Sequence, residues 1–136
     1  KKVKIIECPR DAMQGIKSHF IPTEKKALYI NSLLKVGFDT IDFGSFVSPR
    51  AIPQMRDTAA VLSKLDLSKT TSKLLAIIAN VRGANDASQF EEIDYLEYMI
   101  EKANETSAKI QVVSTETSQG QQFLSGFGGV GALLRY

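Results

Sequence analysis

Leu74-Leu75-Ala76-Ile77-Ile78-Ala79 is an unbroken apolar run of strand length. Apolar residues at both parities suit a central parallel strand covered on both faces. On the N-terminal side, Thr40-Ile41-Asp42-Phe43 is a second short strand. Val3-Lys4-Ile5-Ile6-Glu7, rich in β-branched residues and bounded by Pro9, is another. Between these two, Pro22-Thr23 opens a helix with Thr23 as N-cap; Ala27, Ile30, Leu33 and Leu34 recur at helical spacing, and Gly37 closes it. Pro49 and Pro53 lead into a second helix with Met55, Ala59, Leu62 and Leu65 on one face. On the C-terminal side, Ala87, Phe90, Ile93, Leu96, Ile100 and Ala103 step by three or four, and residues 84–107 contain neither Pro nor Gly. That spacing predicts one long helix, or two meeting near Glu91. Ile93-Asp94-Tyr95-Leu96 is open to strand or helix, with helix favoured because no turn residue separates it from Glu97-Tyr98-Met99-Ile100. Lys109-Ile110-Gln111-Val112-Val113-Ser114 is a strand, residues 118–124 a short helix, Gly126-Phe127-Gly128-Gly129 a loop, and Gly131-Ala132-Leu133-Leu134-Arg135-Tyr136 a closing strand.

Strands alternating with helices imply right-handed βαβ units. The expected fold is α/β: an open, layered α/β/α sheet of about five mostly parallel strands, in one domain over residues 1–136. The direction of the last strand is open.

The 136 residues carry a net charge of +2, with lysines scattered among glutamates, which gives no electrostatic case for a nucleic-acid partner. No run reaches the roughly 18–20 apolar residues of a membrane helix. Lys1-Lys2-Val3-Lys4 does not open on Met and no apolar signal core follows, as expected of recombinant expression. The single cysteine, Cys8, permits no internal disulfide and fits a reducing, cytoplasmic setting. No partner is expected to be required; the chain is expected as a monomer, or a homodimer through a sheet edge.

Glu7-Cys8-Pro9-Arg10-Asp11-Ala12-Met13-Gln14 resembles the first strand and arginine-aspartate-x-x-glutamine loop of 3-hydroxy-3-methylglutaryl-CoA lyase and its relatives, a TIM-barrel family. Ile21-Pro22-Thr23, Ser45-Phe46-Val47-Ser48-Pro49, Pro53-Gln54-Met55 and Ala79-Asn80-Val81-Arg82-Gly83 continue the likeness, which spans roughly residues 2–90. Residues 101–136 resemble something else. Gly120-Gln121-Gln122-Phe123-Leu124-Ser125-Gly126-Phe127-Gly128-Gly129-Val130-Gly131-Ala132-Leu133-Leu134-Arg135-Tyr136 is similar to the C-terminal domain of the archaeal and eukaryotic class 1 peptide-chain release factor. A lyase-like segment of about residues 1–92 joined to a release-factor-like segment from about 93 reads as an engineered or recombined scaffold. Its foreign part would cover the raw edge left by a partial barrel. On that reading no biological activity is expected, and the chain is expected not to be an enzyme. Two alternatives stand beside it: a lyase-like fragment with weak divalent-metal or acyl-CoA binding, and a module that binds a translation GTPase.

The positions carried over from the lyase likeness are Arg10, Asp11, Gln14, Asp42, Ser45 and Asn80, gathered by a parallel sheet at its carboxyl end, where ligands bind. The likeness implies that Asp11 binds a divalent metal, Arg10 polarises the substrate carbonyl, and Asp42 supports the site. The family's remaining metal ligands, a histidine pair and an asparagine, and its catalytic loop cysteine have no counterparts, and the one histidine, His19, falls in a connecting loop. No catalytic residue and no cofactor are therefore expected, beyond weak Mg²⁺ at Asp11. Simpler structural roles compete at each place. Arg10 and Asp11 would be a solvated or ion-paired loop remnant, Cys8 a small buried hydrophobe and Ser45 a turn residue. Phe90, Tyr95 and Tyr98 would be core and boundary packing, and Glu91, Glu92 and Asp94 a solvated face. The Gly126 to Gly131 stretch lacks a phosphate-loop lysine and reads as a turn.

Overall fold

The computed structural model describes residues 2–100 and 109–114, with side chains as far as residue 98. The expected helix at 118–124, the glycine loop and the closing strand lie outside the described residues.

The elements are β1 (Ile6–Glu7), α1 (Pro9–Gln14), α2 (Thr23–Leu34), β2 (Thr40–Ser45), a 3-10 turn (Pro53–Met55), α3 (Thr58–Leu62), β3 (Lys73–Ile78), α4 (Val81–Ala87), β4 (Tyr95–Ile100) and β5 (Lys109–Ser114). They form one five-stranded sheet in the order β1-β2-β3-β4-β5. The first four strands are parallel, and β5 runs antiparallel to β4. The apolar run sits at the centre as expected: β3 from Leu74 to Ile78 is buried without interruption. Ile41, Phe43, Leu74, Ala76, Ile78 and Leu96 of the sheet pack with Ala27, Ile30 and Leu34 of α2, Val61 and Leu62 of α3, and Ala84 and Ala87 of α4.

Several expectations are corrected. No long helix follows β3. Helix α4 stops at Ala87, and Tyr95 to Ile100 is a strand whose Tyr95, Leu96, Glu97 and Tyr98 lie in register with Leu75, Ala76, Ile77 and Ile78. The three-to-four spacing of Ala87, Phe90, Ile93 and Leu96 was real burial, reached instead by a helix, a turn and a strand. The open edge of β3 supplied a ladder that local helical spacing could not compete with. Asp94 is not a solvated face. Its Oδ2 accepts the Leu74 N–H at 2.8 Å and its Oδ1 pairs with Lys73 Nζ at 2.8 Å, which fixes the start of β4 against the start of β3.

Strand β1 is shorter than its β-branched sequence suggests. Ile5 N–H is committed to Asp39 Oδ2 at 2.9 Å, so ladder pairing starts at Ile6. Helix α2 begins after Pro22, and Thr23, read as the cap, instead bonds Asp57 through its hydroxyl. Gly37, at φ +85°, makes the left-handed turn that ends this unit. The second helix is broken into a 3-10 turn and α3, which turns Ala59 outward and buries Thr58 and Val61. Cys8 is exposed, not a buried hydrophobe.

Candidate functional site at the carboxyl end of the sheet

Pro9, with no N–H to leave unsatisfied, starts α1 directly after β1. Arg10 and Asp11 therefore stand on the first turn of a short helix rather than in a loop. Asp42 lies on β2 next to a register shift, where Asp42 pairs with Leu75 but Gly44 with Ala76. Bulges of this kind re-aim side chains beside sites. The same shift brings Gly44 against α3.

The two elements meet in one ion pair. Arg10 Nε donates to Asp42 Oδ1 and Oδ2 at 3.2 and 3.0 Å, and Nη2 donates to Oδ2 at 2.6 Å. Arg10 Nη1 donates to Asp11 Oδ1 at 3.2 Å, and Gln14 Nε2 donates to the same oxygen at 3.0 Å. Asp42 is buried, with 2% of its side chain exposed; Asp11 keeps 67%. A guanidinium carries five N–H donors. These bonds engage Nε and one hydrogen on each Nη, so each Nη retains one donor that no described residue takes up.

The electrostatics are those of one cation among several carboxylates. Burial pushes the Asp42 carboxyl up from 3.8, with Arg10 pulling the other way. Arg10 moves up as well: its own burial works against the charge, but the bonds and charge of Asp42 outweigh it. The pair stays ionic at neutral pH, because Arg10 does not release its proton and a neutral Asp42 would leave its two donors poorly matched. Glu97, half-buried on β4, is pushed up from 4.5 by burial and by Asp42. Cys8, exposed but partly covered at its sulfur, is pushed up from 9.0 first by that partial desolvation and then by Asp42, so it holds its thiol form.

Arg10, Asp11, Gln14 and Asp42 thus come together, whereas Ser45 and Asn80 do not join them. Ser45 Oγ accepts the Val47 N–H at 3.1 Å, and its backbone is tied to Thr58. Asn80 caps α4 by accepting the Gly83 N–H at 2.8 Å. His19 is exposed beside Ser18. Glu97 was missed because its segment was read as helix, where its position beside β3 has no meaning. Gln54 was missed as well. It holds the α1–α2 connection by donating to the carbonyls of Ile16 and His19 and accepting the Ile21 N–H. That connection and the segment around residues 50–56 wall a cleft of about 680 Å³, lined by Lys17, His19, Arg50 and Arg56 and by no carboxylate.

Fold and site together define an α/β protein with a guanidinium–carboxylate site at the carboxyl end of a parallel sheet. Residues 50–136 match the family model for eRF1 domain 3, and the chain belongs to that family. It is 47% identical to peptide chain release factor subunit 1 of Thermococcus kodakarensis over 47 residues, 35% of this chain and 11% of that protein. It is also 39% identical to hydroxymethylglutaryl-CoA lyase YngG of Bacillus subtilis over 88 residues, 64% of this chain and 29% of that protein. Among solved structures, an HMG-CoA lyase from Acinetobacter baumannii in complex with coenzyme A and 3-methylmalate superposes with a TM-score of 0.63 at 36% identity, covering 70% of this chain and 30% of the lyase. The Pseudomonas aeruginosa lyase gives 0.64 at 30% identity, covering 72% and 32%. Both likenesses expected from the sequence are therefore present, and the chain spans less than a third of each of these proteins. One expectation is overturned. The chain was expected not to be an enzyme, yet the proteins it resembles over most of its length, in sequence and in structure, are lyases, of which it covers a part.

The lyase likeness implies a divalent metal at Asp11. The donors do not fit a closed coordination shell. Both Asp42 oxygens are taken by Arg10, and Asp11 Oδ1 already accepts from Arg10 and Gln14. No group of three His, Cys, Asp or Glu residues is placed for a metal ion among the described residues. Hard divalent cations take about six oxygens, and Asp11 Oδ2 is one.

Proposed function

We propose that the chain is a lyase-type fragment that binds an acyl-CoA-like ligand, with Arg10 as the group that receives the acyl carbonyl. The observation that carries this reading is the Arg10 fork. Asp42 fixes one edge of the guanidinium, and each Nη keeps a donor free for an incoming oxygen. A donor held rigid and partly desolvated polarises a carbonyl better than one that must be ordered first. Asp42 and Gln14 act as positioning residues, since they hold Arg10 and Asp11 respectively. The cleft lined by Lys17, His19, Arg50 and Arg56 supports the same reading. It is cationic, and Gln14 lines it while bonding Asp11, so it adjoins the Arg10 cluster. Phosphates of a coenzyme A moiety suit such a wall. The similar Acinetobacter lyase was solved with coenzyme A.

Calorimetric titration of the chain with coenzyme A and with hydroxymethylglutaryl-CoA tests this. The thioester is expected to bind more tightly than coenzyme A alone. Arg10→Gln should abolish that difference, about tenfold or more for a charged hydrogen bond. Paired Lys17→Gln and Arg50→Gln changes should weaken both ligands. Equal affinities for the two ligands, or variants indistinguishable from the parent, refute the reading.

A second reading concerns origin: the chain is an engineered or recombined scaffold. The observation behind it is that likeness to two families of unrelated role meets inside one sheet, the release-factor match starting at residue 50 within the lyase-like part. A single uninterrupted gene for these residues in a genome would refute it.

A further inference from the structure

A second cavity, of about 330 Å³, lies on the other side of Arg56, between the Ser45–Pro49 segment, α3 and α4. Its floor is aromatic: the Phe46 and Phe90 rings lie 5.7 Å apart, tilted by 34°. Its polar groups divide unevenly. Asp86 and Gln89 line its rim, while three of its other side-chain acceptors are used within the wall. Asn80 Oδ1 takes the Gly83 N–H, Ser45 Oγ takes the Val47 N–H, and Ser48 Oγ takes the Arg50 N–H. Among the described residues, its side-chain N–H donors make no hydrogen bond. Asn80 Nδ2 donates to no described residue. Arg56 stacks on Phe20, 3.8 Å from its centroid, which occupies one face of the guanidinium but not its N–H groups. Among the described residues, Arg82, with 84% of its side chain exposed, pairs with Asp86 at a loose 3.8 Å.

An apolar floor with a few convergent polar groups is the pattern of a small-molecule site. Two guanidinium groups, Arg56 and Arg82, against the one carboxylate of Asp86 leave the lining net positive, which favours an anion. The ring pair and the planar guanidinium groups select a flat body. We infer that this cavity binds a small aromatic carboxylate: its ring lies on Phe46 and Phe90, and its carboxylate accepts from Arg82, Arg56 and Asn80. The site is separate from the Arg10 cluster and does not depend on the function proposed above.

The test titrates the intact chain, isotopically labelled, with 3-phenylpropionate and with 3-phenylpropionamide, reading amide shifts. The carboxylate is expected to perturb Phe46, Asn80, Arg82 and Phe90 at low-millimolar concentration, leaving Arg10 and Asp11 still. The amide should bind at least tenfold more weakly. Arg82→Gln, a substitution at an exposed position, should weaken the carboxylate several-fold and leave the amide unchanged. Asp86→Asn, which removes the competing carboxylate, should tighten it. Equal binding of acid and amide overturns the inference. So do shifts centred on Arg10, or an Arg82→Gln variant that binds the acid as the parent does.

Discussion

Lys26, on α2 and 1% exposed, places its Nζ 2.6 Å from Asp57 Oδ1, beside the cap of α3. The same ammonium bonds the Gln54 carbonyl and lies 4.0 Å from the centre of the Phe20 ring. A cation wholly inside the molecule thus joins α2, the 3-10 turn and the α1–α2 connection. Asp57 is held in turn by the Thr23 hydroxyl at 2.7 Å. This clamp sets the wall from which Arg56 faces both cavities.

The clamp predicts an asymmetry. Asp57→Ala leaves a buried ammonium without its counter-ion and should cost about 3–5 kcal/mol. Lys26→Met leaves Asp57 with the Thr23 hydroxyl and 12% exposure to water, and should cost less, about 1–3 kcal/mol. Urea unfolding of the two variants checks this. Equal losses would show that the ammonium is not the strained partner.

A steric prediction concerns Gly44. A Cβ there would stand 2.4 Å from Thr58 Cγ2 and 3.0 Å from Thr58 Oγ1. Thr58 cannot retreat freely, because its hydroxyl accepts the Ser45 N–H and faces the carbonyls of Ser45 and Met55. Gly44→Ala should therefore destabilise by about 1–3 kcal/mol. Adding Thr58→Ser, which deletes Cγ2 and keeps the hydroxyl, should return part of that loss. A double-mutant cycle with no coupling would refute the contact.

Asp94 anchors the crossover from α4 into β4. Asp94→Ala removes the acceptor for the Leu74 N–H at the buried start of β3 and should cost about 1–3 kcal/mol. Amide exchange should show the Leu74 N–H losing more protection than the middle of β3. Uniform loss across the strand would point to global destabilisation instead.

How far all this was legible follows from the kind of signal. β3 announced itself, because a strand buried on both faces needs apolar residues at every position, and Leu74 to Ala79 supply them. The gathering of Arg10, Asp11 and Asp42 was readable from the lyase likeness combined with a parallel sheet. The strand at Tyr95 was not, since Ile93 and Leu96 also satisfy helical spacing, and only the vacant edge of β3 decides between the two. With that strand went Glu97. The Lys26–Asp57 clamp was hidden for another reason: a lysine inside a helix reads as solvated, and its burial depends on Phe20, Gln54 and Asp57, which are distant in sequence and carry no shared pattern.

Glu97 supplies the last prediction, in which the sign is the test. Its folded pKa lies above the ordinary 4.5, pushed there first by burial and then by the Asp42 charge. A carboxyl of this kind takes up its proton more readily folded than unfolded. Its contribution to stability is therefore whole below pH 4.5 and is lost as pH rises through the folded value. Asp42, raised from 3.8, acts in the same sense. Glu97→Gln removes the ionising group while keeping its shape. The variant should match the parent at pH 4 and be the more stable of the two at pH 7. Denaturant midpoints at both pH values read this directly. A variant that is less stable at pH 7 would mean that Glu97 serves Arg10 as a needed counter-ion, with its attraction outweighing burial.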